Sequence, residues 1–428
     1  MKRNVTIKNG ELQLGGVPAS ALAAEYGTPL YVMEEETVRR NMRAFRSSME
    51  EFYGEGLVCY ASKAFCCKEI YRIADQEGLG ADVVSLGELY TAKCAGFPME
   101  KVCFHGNNKS EEELRAALEY GVGRIVADSL SELARLSRLA GEMGRKAPVL
   151  LRIKPGIDAH THDFIRTGQI DSKFGLALET GEAMEGVREA LALPNLSLRG
   201  VHCHIGSQIF QVEPFVEAAR VMMEFLGDVK EETGAELADL NLGGGFGIRY
   251  TDADEPVPFG DYMGPVSRAV RETAEKRGLS MPFVLIEPGR SIVGEAGTTL
   301  YTTGPVKEIP GVRSYLAVDG GMGDNPRYIL YQAKYDMLPA CRADEPADRV
   351  YTVAGKCCES GDLLGENVPL PEMKEGELLA VLSTGAYNYS MASRYNRRGV
   401  PPVVMVKDGA SRLIVRGESL EDLVQNDL

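Results

Sequence analysis

From about residue 34 to 290 the chain alternates short apolar runs with amphipathic stretches, the pattern of βα units wound around a parallel sheet. Eight runs can be counted: LVCYASK (57–63), ADVVS (81–85), KVCFHG (101–106), RIVAD (124–128), PVLLRIK (148–154), LRGVHCHIG (198–206), ADLNLGGG (238–245) and FVLIEPGR (283–290). Helical patterns separate them, such as SEEELRAALEYG, which opens with Ser110 and Glu113 at capping-box spacing. Eight parallel strands over about 250 residues specify an α/β fold, a (β/α)8 TIM barrel. Seven inter-strand helices leave one ring position empty, and EEETVRRNMRAFRSSMEEF, ahead of the first strand, is expected to fill it.

After Arg290 the texture changes to β-rich runs broken by Gly and Pro, among them TTLYTTGPVKEI, RVYTVAGKCC and PVVMVKDGASRLIVR. They predict a second, mainly antiparallel β domain. The expected division is a barrel over 30–293, with 1–29 and 294–428 forming the β-rich domain. Composition excludes several function classes. No apolar run approaches the roughly 20 residues of a membrane helix, and the N-terminus lacks the apolar block of a signal peptide. A cytoplasmic protein is expected, with no membrane partner. Its nine cysteines are then thiols, and none shows CxxC or Cys/His spacing suited to a metal. A net charge of -15 without a Lys/Arg cluster argues against nucleic acid as a partner.

Barrel chemistry gathers at the C-terminal ends of the strands. Strand one ends at Lys63, strand six runs into His202, Cys203, His204 and Ser207, strand seven ends in Gly243–Gly245, and strand eight ends in Glu287, Pro288, Gly289 and Arg290. Singly these are ordinary features, since a lysine at a strand end is usually a solvated charge and GGGFG is usually a tight turn. Together they describe a pyridoxal phosphate site. A glycine turn opening a helix offers N–H groups to a phosphate, a lysine can condense with an aldehyde, and a carboxylate can hold a pyridine nitrogen protonated.

These segments resemble, in order and over nearly the full length, the fold-type III pyridoxal-phosphate decarboxylases, and among them most closely the diaminopimelate decarboxylases. The matching motifs are YASKAF, DSKFGL (171–176), HCHIGSQ (202–208), NLGGGFG (241–247), EPGR (287–290), DGGMGDNPRYILY (319–331), CESGD (358–362) and GAY (385–387). The resemblance implies pyridoxal 5'-phosphate bound as a Schiff base on Lys63 and stacked under His204, with Glu287 at the pyridine nitrogen. It implies that Ser207, Gly245, the Glu287–Arg290 loop (with Pro288 and Gly289) and Tyr387 hold the phosphate end. Cys358 becomes the proton donor to Cα, with Cys357 beside it as a decoy. Arg290, Arg327 and Tyr331 bind the carboxylate at the non-reacting end of the substrate, an arginine fork being suited to that task, and Glu359 accepts the amine of the reacting centre. No metal is implied. The implied reaction is loss of CO2 from meso-2,6-diaminopimelate to give L-lysine, the last step of lysine biosynthesis, in a homodimer whose active sites are shared across the interface.

The alternative is the same machinery acting on another basic amino acid: lysine, ornithine, arginine or carboxynorspermidine. Arg290, Arg327 and Glu359 disfavour a distal amine. A racemase of related architecture, or a carrier without catalysis, is a further alternative, but CESGD argues for decarboxylation and Lys63 and Cys358 are both retained. The family's usual RPALY reads Arg327, Tyr328, Ile329, Leu330, Tyr331 here, so the proline is replaced.

Overall fold

The structure, a computed structural model, describes residues 6–157 and 172–428. Asp171, the first residue of DSKFGL, lies outside the described residues, as do residues 1–5 of the expected N-terminal β segment. The chain forms two compact units, one containing Asn41–Gly247 and Pro256–Ser291, the other containing the chain up to Arg40, Ile248–Glu255 and Ile292–Leu428.

The first unit is a closed eight-stranded parallel barrel. Its strands are β1 (Gly56–Ala61), β2 (Gly80–Val83), β3 (Val102–Phe104), β4 (Arg124–Ala127), β5 (Ala147–Lys154), β6 (Leu196–His202), β7 (Asp239–Asn241) and β8 (Phe283–Ile286). They pair in sequence order, and β8 returns to β1 through Val284↔Gly56 and Ile286↔Val58. All eight apolar runs are therefore strands. The capping box forms as the sequence predicts, with the Ser110 side chain accepting from Glu113 N and the Glu113 side chain accepting from Ser110 N. Within this unit the helix ahead of β1 packs Phe45 on Phe259 (3.9 Å, stacked) and Phe246 (5.1 Å), and a Cβ on Gly56 would meet Met49 Sδ at 2.7 Å. Phe259 opens the helix between β7 and β8, so this segment stands beside the last helix of the ring.

The barrel interior is not wholly apolar. Cys59, Cys103 and Leu285 form one buried cluster, and Arg124 on β4 is paired with Asp239 on β7 at 2.8 Å. Such a pair contributes little net stability when intact but costs several kcal/mol, about 3 to 5, if one partner is removed.

The second unit is built on a mainly antiparallel sheet. The strand Gly297–Ile309 is its centre, paired antiparallel with Arg313–Val318, Leu378–Leu382 and Leu30–Glu34. Two pairings are parallel: Arg313–Val318 with Arg349–Ala354, and Leu30–Glu34 with Val403–Lys407. Residues 30–40, 248–255 and 292–293, which the expected boundaries assign to the barrel, lie in this unit, and LYVME (30–34) is a strand of its sheet. The N-terminal segment adds three short strands and a helix, Ala19–Tyr26, that its β-like texture does not suggest. Leu12 and Leu22 from it are buried with Leu300, Leu382 and Val404.

Candidate active site

At the C-terminal mouth of the barrel polar groups stand at or just after the ends of several strands, because the backbone leaves the sheet there and the side chains no longer fill the core. Lys63 is exposed on a 3-10 turn, Ser62–Ala64, directly after β1. Glu287 follows β8 and is buried. Its Oε1 lies 2.7 Å from His105 Nε2 and accepts from Asn241 Nδ2 at 2.6 Å, while Oε2 lies 3.2 Å from His202 Nε2. Four strands thus converge on one carboxylate. Burial by itself pushes this carboxyl up, but the imidazoles of His105 and His202 outweigh it and hold the group well below the usual range. Glu287 is an anion in a low-dielectric site. Three donors occupy an acceptor with about four lone-pair sites, which leaves room for one more N–H.

The histidines are set for this arrangement. Burial lowers His202 to about 3, so it is a neutral imidazole that donates from Nε2; its Nδ1 is buried and has no partner among the described residues. His204, half-buried, is pulled well below its ordinary value by burial and then by the positive charges of Lys63 and Arg152. Its Nδ1 accepts from Gly244 N at 3.2 Å.

The glycine turn is shaped by close approach. Gly243 and Gly245 have φ of +67° and +114°, the region that side chains rarely adopt. A Cβ on Gly244 would lie 2.1 Å from Glu287 O, and one on Gly245 2.4 Å from Gly206 O. Asn241 Oδ1 accepts from Gly243 N at 2.9 Å, locking the turn to the residue that also binds Glu287. Beside it Arg290 Nη2 donates to Ser207 Oγ at 2.9 Å. Gly244→Ala is expected to cost roughly 1 to 3 kcal/mol, since the turn must move off the Glu287 backbone. Its check is the denaturation midpoint of the holoenzyme together with retention of cofactor on dialysis; a midpoint equal to wild type would show that the approach is looser than this geometry.

The remaining predicted residues lie in the second unit. Arg327 and Tyr331 are the first and last residues of a short helix, Arg327–Tyr331. Arg327 is 7% exposed, its Nη1 donates to Tyr335 Oη at 2.7 Å, and its guanidinium lies over the rings of Tyr250 (4.8 Å), Tyr335 (5.8 Å) and Tyr331 (6.0 Å). Among the described residues it makes no ion pair. Tyr328 is buried and donates from its hydroxyl to Glu366 at 2.7 Å, and Glu366 also receives Arg313 at 2.8 Å.

The two adjacent cysteines differ. Cys357 is buried, and burial with the neighbouring Asp362 carboxylate pushes its thiol up. Cys358 and Glu359 are exposed on the same turn. Asp362 ties that turn down by accepting from Cys357 N (2.7 Å) and Met322 N (2.5 Å), and Cys358 N donates to Asn396 Oδ1. Tyr387, half-buried, has a φ of +62°, a conformation that costs a non-glycine residue about 1 kcal/mol or more.

Sequence reasoning gave no role to His105, His202 or Asn241, nor to Asp82, 3.7 Å from His105 Nε2. The available signal was position: Asp82 lies in the second run, His105 near the end of the third, and His202 in the sixth.

Comparison with known proteins matches this arrangement. Residues 35–294 match the family model described as pyridoxal-dependent decarboxylase, pyridoxal binding domain. The chain is 51% identical over 421 residues to a diaminopimelate decarboxylase of Bacillus subtilis, covering 98% of this chain and 96% of that one. It is 45% identical to the Staphylococcus aureus protein of that name, covering 98% of each. The structure of diaminopimelate decarboxylase from M. jannaschii in complex with L-lysine superposes with a TM-score of 0.93 at 37% identity, over 99% of this chain and 97% of that one. Full-length identity at this level joins the barrel and the antiparallel sheet in one assignment: the chain belongs to the diaminopimelate decarboxylases of the pyridoxal-dependent decarboxylase family.

Proposed function

We propose that the protein binds pyridoxal 5'-phosphate at the barrel mouth and uses it to decarboxylate meso-2,6-diaminopimelate to L-lysine and CO2. The residues fit the cofactor. A buried anion with a spare acceptor site suits a protonated pyridine nitrogen, a glycine turn with no room for a Cβ suits a phosphate, and an exposed amine suits an aldehyde. When bound, the cofactor supplies an electron sink for the charge left at Cα by the departing CO2. Glu287 keeps the ring-nitrogen proton in place, and its three donors keep Glu287 ionised. His204 covers one face of the ring. Ser207, Gly245, Arg290 and Tyr387 hold the phosphate, and Lys63 provides the amine. The exposed Cys358 thiol returns a proton to Cα, and Glu359 accepts the substrate amine.

The observation that carries the substrate assignment is Arg327. A guanidinium this buried loses hydration and ordinarily needs an anion, yet among the described residues its only hydrogen-bond partner is a phenol. Burial lowers its pKa, but the surrounding tyrosines outweigh that and raise it, so it remains a cation. A ligand carboxylate completes the site, with Tyr331 and Arg290 assisting. A distal ammonium, as in lysine or ornithine, meets positive charge instead.

The test is CO2 release from meso-diaminopimelate, L-lysine, L-ornithine and L-arginine side by side. Only the first is expected to turn over efficiently. Arg327→Ala is expected to lose about 2 to 4 kcal/mol in kcat/KM, chiefly through KM, because a charged bidentate contact is removed. An equal loss on monocarboxylic amino acids would assign Arg327 to the fold or the cofactor instead.

The proposal extends to assembly. Cys358 and Glu359 lie exposed on the unit that does not carry Lys63. We assign them to a site completed in a homodimer, where they act on substrate held at the partner's Lys63.

A further inference from the structure

We infer that Tyr335 is a specificity-positioning residue, whose hydroxyl fixes the plane of the Arg327 guanidinium so that its free edge is presented as a fork to the substrate's non-reacting carboxylate. The inference rests on the assignment of Arg327 given above. A guanidinium has five N–H donors in one plane. Stacking on tyrosine faces restrains its tilt but leaves it free to turn within that plane, because the attraction of a cation for a ring face carries little directionality about the ring normal. A hydrogen bond in the plane removes that freedom. Tyr335 Oη supplies it, accepting from Nη1 at 2.7 Å and leaving the edge formed by Nε and Nη2 for a bidentate partner.

Tyr335 is itself held rigidly. It is 6% exposed, its ring meets Tyr250 edge-on at 5.4 Å and 89°, and both rings belong to the buried cluster that includes Leu316, Val318, Leu379 and Val381. The packing around the Tyr335 ring therefore fixes where its hydroxyl meets Arg327. Without the hydroxyl, substrate must pay to order the guanidinium on binding, which weakens ground state and transition state alike and appears in KM.

Tyr335→Phe keeps the ring and the packing and removes only the hydroxyl. In the holoenzyme it is expected to raise KM for meso-diaminopimelate roughly tenfold, with kcat within about twofold and unchanged cofactor absorbance. Arg327→Lys replaces the planar fork by a point charge with no plane to orient. In that background Tyr335→Phe is expected to add no further rise in KM. An unchanged KM in Tyr335→Phe, or the same multiplicative rise in the Arg327→Lys background, would overturn the inference, because packing defects act whatever the cation. If Arg327→Lys itself leaves KM unchanged, the assignment of Arg327 to the substrate fails; if it raises KM and Tyr335→Phe does not, only the positioning role fails.

Discussion

Lys63→Ala is expected to lower turnover by on the order of 10^4-fold or more, equivalent to about 5 kcal/mol at 1.36 kcal/mol per decade, while leaving the fold intact. The side chain is exposed on a turn beyond the end of β1, and the buried residues of that segment are Ser62 and Ala64. Removing it takes away an amine but no packing. The barrel is held instead by strand pairing around its full circumference and by the apolar layers under it. The cofactor's visible absorbance, which depends on its bond to an amine, is expected to vanish in the same variant, whereas circular dichroism and the denaturation midpoint of the apoprotein are unchanged. Retention of both wild-type absorbance and activity would remove Lys63 from the mechanism.

The barrel was legible because its signal is local. Each apolar run carries its own strand tendency, and the second, third and fourth are followed by serine-capped helix starts at Ser85, Ser110 and Ser129. The end of a run marks the mouth, so Lys63 and Glu287 could be located without knowing what they touch. Contacts around Glu287 were not legible, because they arise from closure: His105 and Glu287 are 182 residues apart and meet only when β3 and β8 face the same interior. The strand Leu30–Glu34 was misleading for a related reason. A five-residue apolar run before a helix looks the same whether it enters a parallel barrel or an antiparallel sheet, and only its pairing with Gly297–Ile309 and Val403–Lys407 decides. The tyrosines around Arg327 likewise combine a residue just past the barrel's seventh strand, Tyr250, with others beyond residue 330, a conjunction no spacing rule contains.

The shared-site proposal makes a prediction that a self-contained site cannot imitate. Lys63→Ala and Cys358→Ala homodimers are each expected to be nearly inactive, the first for want of the amine and the second for want of the proton donor. When equal amounts are mixed and allowed to exchange, half of the dimers are mixed. In an isologous dimer the two sites are equivalent by symmetry. If Cys358 acts on the partner's site, one site of each mixed dimer combines both defects and the other has neither. Half the dimers with half their sites restored gives about a quarter of wild-type activity for the same total protein, provided the sites are independent. If Cys358 acts within its own chain, every site in a mixed dimer still carries one defect, and activity stays at the level of the separate variants. Differently tagged chains and a pull-down establish exchange, so that persistent inactivity with exchange demonstrated would count against donation across the interface. The geometry behind the expectation is local to one turn. Cys357 is buried and its thiol pushed up, whereas Cys358 and Glu359 are exposed together on a loop pinned by Asp362 and Asn396, which is the placement a residue needs if its target belongs to another molecule.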